Sequence, residues 1–441
     1  MSLLGRAIRL SAGGAFRRFE AALGDPERAQ AEALARLLAA GRQTAFGREH
    51  GFSTIRTPED YARLVPIRDY EGFRPYIQRM LGGEAGVLTT EAPEMYATTS
   101  GTTGEPKLVP VTPGWRRQMT GLLRLWMVGA LRDHPRCFDG SVLTVVSPAI
   151  EGLTASGTPY GAMTGLTQQR APWLIRRQYA TPYEVALVKD YEARYFLLLR
   201  LALARSVTAI VTPNPSTLMR LAAVARREGE ALLRAIHDGT PGMAVPELLP
   251  QAGTDPARAR ERLLSGLRPD PERARALGRL AEQEGALLPR MAWPDLQLIG
   301  CWLGGSAGIQ ARHLAEAYGE GAALRDVGLL ASEGRMTVPL ADGGPEGPPY
   351  IHANYYEFIP ESAIDRPAPP TLGVHQLEDG ARYYLVVTGG NGLYRYDMND
   401  IVEVRGFDRR TPRLAFVRKG RDMVNLTGEK LHLNQVQAAL R

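Results

Sequence analysis

Lysine is scarce in this sequence: four residues (Lys107, Lys189, Lys419 and Lys430) stand among 53 basic side chains, the rest being arginine. Cysteine is scarcer still, and Cys137 and Cys301 lie far apart with no second cysteine near either. That pattern excludes a disulfide framework and a zinc ribbon. No apolar run approaches the ~18 residues of a membrane span. Arg6 and Arg9 interrupt the apolar stretch at the start, so Met1 to Phe19 reads as an amphipathic helix rather than a signal peptide. The seven histidines are scattered, and no Ser-His-Asp or Cys-His constellation suggests a protein nucleophile. Net charge is +6, but the arginines are interspersed with Glu and Asp and form no aromatic-and-basic platform. Nucleic acid is therefore not an expected partner. What remains is a soluble, cytoplasmic globular chain whose 441 residues suit two or three subdomains. Its oligomeric state is not legible.

Against this background one stretch stands out, Tyr96-Ala97-Thr98-Thr99-Ser100-Gly101-Thr102-Thr103-Gly104-Glu105-Pro106-Lys107. Five hydroxyls, two glycines and one of the rare lysines lie between Thr98 and Lys107. Rotatable hydroxyl donors suit an oxyanion, and glycines let backbone approach phosphate oxygens without a Cβ in the way. The spacing is not that of a Walker loop, because Gly104 is followed by Glu105-Pro106-Lys107 and Leu108. Pro106 disfavours a helix starting directly after the glycines, so this loop must wrap its ligand. A plain Ser/Thr/Gly turn between two strands is the competing reading.

Along the chain, an N-cap acid, an early proline and helical apolar spacing predict a helix over Asp25 to Ala40, and another follows Thr57-Pro58-Glu59-Asp60-Tyr61. Val65-Pro66-Ile67 and Pro75-Tyr76-Ile77 read as short extended or bent pieces. Trp115 to Leu131 is helical with an apolar stripe, Ser141 to Ser147 is a buried strand, and 149–182 is irregular, either pocket lining or surface loop. A helix at Tyr191 to Leu203, a strand at Val207 to Val211 and a turn at Thr212 to Ser216 argue for α/β architecture. Leu218 to Leu288 is helical, charged and solvated. Leu296 to Leu303 is a buried strand ending at Gly304-Gly305-Ser306, before a helix over Gln310 to Tyr318. A strand at Leu324 to Leu330 then runs into Ala331-Ser332-Glu333-Gly334. Strand ends of this kind are where open α/β sheets bind ligands. Strands are expected at Ile351 to Ile359, Gly373 to Leu377, Tyr383 to Thr388 and Ile401 to Val404.

Thr98 to Lys107, then Ala331-Ser332-Glu333, then Tyr394-Arg395 with Asp400, resemble the three nucleotide motifs of the adenylate-forming superfamily. The flanks His50-Gly51-Phe52, Val65-Pro66-Ile67, Pro75-Tyr76-Ile77, Tyr355 to Pro360 and Gly392 to Tyr396 are closer still to one branch, the Gretchen Hagen 3 acyl-acid amido synthetases. The resemblance implies an α/β fold: a large adenylate-forming domain over 1–418 with helices on two sheets, and a β-rich, distorted-barrel subdomain near 350–415. A hinge over 419–441 would lead to a small C-terminal domain, absent or truncated here. It implies that ATP and a carboxylic acid form an acyl-adenylate, which an amine, usually of an amino acid, then converts to an amide. A thiol acceptor and a non-catalytic scaffold remain as alternatives. By the same resemblance, Thr99, Ser100, Gly101, Thr102, Thr103, Gly104 and Lys107 hold the phosphates, and Glu333, with Ser332 beside it, holds Mg²⁺. Asp400 accepts the ribose hydroxyls, and Arg418 or Lys419, together with Lys430, meets the ribose or α-phosphate. Gly305, Ser306, Tyr394 and Phe416 complete the nucleotide site. Leu329 stands where the family usually carries the aromatic that stacks on adenine, and Asn399 replaces a glycine. The acid pocket should draw on the helix Trp115 to Leu131, Val211 to Pro213 and Gly304 to Ser306, suiting an apolar acid.

Overall fold

Side-chain caps fix the helix starts near the site. Asp25 accepts the Arg28 N–H at the head of Pro26–Gly41, and Thr112 accepts that of Trp115 at the head of Pro113–Asp133. The first helix, Leu3–Ala22, buries Leu4, Ile8, Ala12, Phe16 and Phe19 along one stripe and lies against Pro113–Asp133. The structure, a computed structural model, describes residues 2–98, 106–245, 247–251, 255–367 and 369–420, with the backbone of Thr99 and of two strands at 423–426 and 429–432. Ser100, Gly101, Thr102, Thr103 and Gly104 lie outside the described residues, as does the side chain of Lys430.

Strands β1 (Met95–Thr99) and β2 (Lys107–Val111) pair antiparallel, with Thr99 opposite Lys107. β3 (Ser141–Thr144) opens a second sheet, while β4 (Gly152–Leu153) and β5 (Pro159–Gly161) complete the first in the order β2-β1-β5-β4. β6 (Val207–Val211), β7 (Leu298–Gly300) and β8 (Ala323–Arg325) extend β3 into an all-parallel sheet, β3-β6-β7-β8. Its central strands β6 and β7 are buried almost throughout, as parallel strands covered by helices must be. β9 (Leu330–Ala331) and β10 (Gly334–Arg335) form a small hairpin. β11 (Tyr355–Pro360), β12 (Arg382–Thr388), β13 (Tyr396–Asp408) and β14 (Thr411–Lys419) make an antiparallel meander, and β15 (Met423–Leu426) pairs with β16 (Glu429–His432), which carries Lys430. One large core joins the N-terminal helices, the first sheet and the meander, and a second lies around the parallel sheet and its helices. The mixed α/β expectation with a β-rich C-terminal portion holds. Among the described residues no helix is long and apolar enough to cross a membrane.

Three local expectations are corrected. Pro75-Tyr76-Ile77 is helical, within Tyr70–Leu81, because Asp69 caps the start and Tyr70, Phe73, Ile77 and Met80 bury one face, outweighing the hydrogen bond that Pro75 cannot donate. Gly373 to Leu377 is no strand but a 3₁₀ turn over Val374–Gln376, since the Gln376 side chain accepts the Gly373 N–H at 2.8 Å. Leu324 to Leu330 breaks after Arg325, where Gly328 takes φ +86°.

His352, expected in a strand, lies in the turn before β11 with its ring 5.4 Å from Phe19. Burial first, then the nearby Arg36 and Arg18, lower its imidazole from 6.5 to about 4. A depressed histidine favours the neutral fold, so its contribution is present above pH 6.5 and is lost as pH falls toward 4. His352→Gln is expected to flatten that acid limb by roughly 1–2 kcal/mol in urea unfolding followed across this pH range, and an unchanged limb would refute the assignment.

Candidate functional site

The two short hairpins converge on one cavity. The hydroxyl loop springs from the last pair of the β1-β2 ladder, so both of its ends are fixed by strand pairing. Lys107 opens β2, and its ammonium stands 5.5 Å from the centre of the Tyr70 ring. The Tyr70 hydroxyl accepts the Leu108 N–H at 2.8 Å, tying the strand to the helix Tyr70–Leu81. Opposite, Ser332 and Glu333 form the two-residue tip of the β9-β10 hairpin. The Ser332 hydroxyl donates to the Thr98 carbonyl at 3.0 Å, and the Asn391 amide donates to the Glu333 carbonyl at 3.1 Å. The Tyr396 hydroxyl donates to Glu333 Oε1, also at 3.1 Å. The acid is thus held from three sides with one carboxylate oxygen engaged by that bond.

The cavity has a volume of about 850 Å³. Thr98, Lys107, Ser332, Glu333, Asn399 and Lys419 contribute its polar lining, and Trp115, Met119, Leu123 and Trp126 of the helix Pro113–Asp133 much of its apolar lining. Val211, Pro213 and Trp302 add to the latter. Both tryptophans nearest the parallel sheet are pinned by one turn: Trp126 Nε1 donates to the Asp326 carbonyl at 2.8 Å and Trp302 Nε1 to the Gly328 carbonyl at 3.1 Å. The Asp326 carboxylate fixes that turn by accepting the N–H groups of Leu303 and Gly328, each at 2.6 Å, while burial pushes it up to about 7. Ala162, Met163, Thr164, Thr167, Gln168 and Tyr179 also line the cavity, so part of 149–182 is pocket lining, while Leu153, Trp173 and Leu174 are exposed surface.

Of the residues singled out in the sequence, Lys107, Ser332, Glu333 and Lys419 come together here. Asp400 lies just outside the lining: its carboxylate is 3% exposed and paired with Lys419 at 2.5 Å. Asn399 has φ +53°, a conformation that glycine takes freely and that asparagine tolerates better than most side chains. The local backbone thereby survives the replacement. Leu329 is packed against the large core, with Leu330 at the cavity instead. Tyr394 is buried in an aromatic cluster, 5.2 Å from the Phe46 ring and 4.8 Å from Phe52. Gly304, Gly305 and Ser306 do not line the cavity; a Cβ on Gly305 would stand 3.4 Å from the Phe416 ring. Arg418 pairs with Glu361 at 2.5 Å. Sequence reasoning missed Tyr70, Tyr396 and Asp326, whose roles depend on contacts between distant segments. It also missed Arg335, which follows the tip on β10.

Comparison with known proteins fits this geometry. A family model described as the GH3 family N-terminal domain matches residues 15–322, and one described as the GH3 family central domain matches 348–419. A probable indole-3-acetic acid-amido synthetase, GH3.4 of Oryza sativa subsp. japonica, is 27% identical over 441 residues, covering 93% of this chain and 68% of the relative. The jasmonoyl-L-amino acid synthetase JAR6 of Nicotiana attenuata is 26% identical, covering 96% of this chain and 74% of its own. Among solved structures, a GH3.15 acyl acid amido synthetase shares the fold at TM-score 0.76 and 21% identity, over 95% of this chain and 73% of the other.

Proposed function

Because the chain belongs to the GH3 family through both its N-terminal and central domains, we propose that it is an ATP-dependent ligase joining a carboxylic acid to an amine. The observation that carries this is one cavity lined both by Lys107, Ser332 and Glu333 and by the apolar face of the helix Pro113–Asp133. Such a cavity accommodates a triphosphate and an organic acid side by side. A carboxylate oxygen of the acid attacks the α-phosphorus of ATP, forming the acyl-adenylate as pyrophosphate leaves. The amine nitrogen then attacks the acyl carbon, loses a proton and releases AMP. No protein nucleophile is needed, so the protein's work is positioning and neutralisation of charge.

Lys107 and the hydroxyls and backbone of the loop from Thr99 to Gly104 hold the phosphates. Among the described residues no group of three or more His, Cys, Asp or Glu side chains is arranged to hold a metal ion. A single carboxylate fits Mg²⁺ all the same, because that ion keeps water and takes substrate phosphates with one or two protein oxygens. Glu333, helped by Ser332, is that carboxylate, and when bound the ion neutralises charge on the departing pyrophosphate. Asp400 receives the ribose hydroxyls as its pair with Lys419 opens, and Lys419 or Lys430 then meets the α-phosphate. Two free, buried cysteines, Cys137 and Cys301, are compatible with a reducing cytoplasm.

The direct test is carboxylate-dependent exchange of labelled pyrophosphate into ATP, followed by product analysis with amino acids and with coenzyme A. Exchange with an apolar acid and an amide product are expected. Exchange with no acid would overturn the adenylation step, and a thioester in place of an amide would overturn the acceptor.

A further inference from the structure

Four basic side chains line the cavity, and three have evident company. Arg116 is paired with Glu94, Lys419 with Asp400, and Lys107 lies over Tyr70. The fourth, Arg335, has no carboxylate within ion-pair distance among the described residues. Its backbone is fixed: the Asn354 amide donates to the Arg335 carbonyl at 3.2 Å, and the Tyr356 hydroxyl donates to the next carbonyl, that of Met336, at 2.9 Å. β10 lies against the helix Pro113–Asp133, whose Met119 and Leu123 are apolar lining. Burial lowers the guanidinium's pKa. Nearby Tyr350 is a neutral phenol, its hydroxyl pushed up by burial and donating to the Leu122 carbonyl of that helix, so it supplies no counter-charge. An arginine stays protonated in such surroundings, so a cation without a counter-ion stands among the groups that receive the acyl tail.

We propose that the acid substrate carries a second anionic group, in its simplest form a dicarboxylic acid, and that Arg335 binds the distal carboxylate while the other is activated. The inference rests on the adenylation reading above. A guanidinium presents parallel N–H donors that match a carboxylate in a bidentate pair, and a lysine at the same place offers only a point charge. The reacting carboxylate has its own polar surroundings at Lys107 and the Ser332–Glu333 tip. Arg335 lies two residues past Glu333, on β10, which packs against the helix Pro113–Asp133. The apolar lining from the helix Pro113–Asp133 suits a hydrocarbon spacer.

The test compares matched pairs of probes, hexanoate with adipate and 4-methylbenzoate with terephthalate, by pyrophosphate exchange on the full chain, its Arg335→Met variant and its Arg335→Lys variant. The wild type is expected to favour the dicarboxylate of at least one pair about tenfold or more in kcat/KM, carried mainly by KM. Arg335→Met abolishes the preference while retaining exchange with the monocarboxylate, and Arg335→Lys keeps part of it. Equal use of both members by the wild type, or a preference that survives in Arg335→Met, would overturn the proposal. If Arg335→Met does not fold, a preference undiminished in Arg335→Lys sinks it. Exchange with no probe would count against adenylation instead. Calorimetric binding of the same pairs to the full chain then decides: tenfold tighter binding of the dicarboxylate, lost on substitution of Arg335, supports the assignment, and equal affinities refute it.

Discussion

Glu333→Gln is expected to lower carboxylate-dependent pyrophosphate exchange by roughly 10²- to 10³-fold, the loss typical of removing one electrostatic element from a preorganised site. Glutamine keeps the size of the side chain and an oxygen that accepts the Tyr396 hydroxyl, now 3.1 Å from Oε1. The hairpin tip is also held by backbone pairing of Ala331 with Gly334 and by Ser332 on Thr98, neither of which the substitution touches. Unfolding free energy should therefore stay within about 1 kcal/mol of wild type. What disappears is the negative charge that brings a divalent cation to the phosphates, so the deficit should appear in kcat and shrink only partly at raised Mg²⁺. Tyr396→Phe, which frees the carboxylate without removing it, should fall between the two. Exchange within threefold of wild type in Glu333→Gln would remove Glu333 from the machinery.

The difference between Glu333 and its supports shows what was legible in the sequence. Lys107, Ser332 and Glu333 were visible because short motifs of unusual composition carry them, and the structure brings all three to the cavity. The helices at 26–41, 113–133 and 191–202 were visible because caps and apolar period agree there. Pro75 misled because a local rule about proline was applied where a buried face decided the outcome. Asp326, Tyr70 and Tyr396 act through bonds to segments far along the chain, information that no window of sequence contains. Tyr394 was assigned with the nucleotide motif by its neighbours, yet the structure seats it between phenylalanines while Tyr396 reaches Glu333. Alternation alone would put these two residues on one face; Arg395, at φ +50°, turns the backbone between them and separates the two rings.

That arginine is the basis of the second large effect, because Glu357→Ala is expected to destabilise the fold by about 3–5 kcal/mol. Arg395 and Glu357 are 6% and 5% exposed and form a two-point pair, Nε to Oε2 and Nη2 to Oε1, both at 2.8 Å. Nη1 also donates to the Ala62 and Val65 carbonyls at 2.7 Å, so one guanidinium ties β11 to the end of the helix Pro58–Leu64. Removing the carboxylate leaves this cation buried and uncompensated, which costs far more than the pair itself contributes. Removing both charges in Glu357→Ala/Arg395→Met should accordingly recover part of the loss, a non-additivity that a double-mutant cycle in urea measures directly. Since Tyr396 follows Arg395 in the chain, the single variant should also loosen the hydroxyl that holds Glu333, lowering exchange under conditions where the protein remains folded. A Glu357→Ala protein within 1 kcal/mol of wild type, or strictly additive single and double variants, would show that the buried pair does not anchor the site.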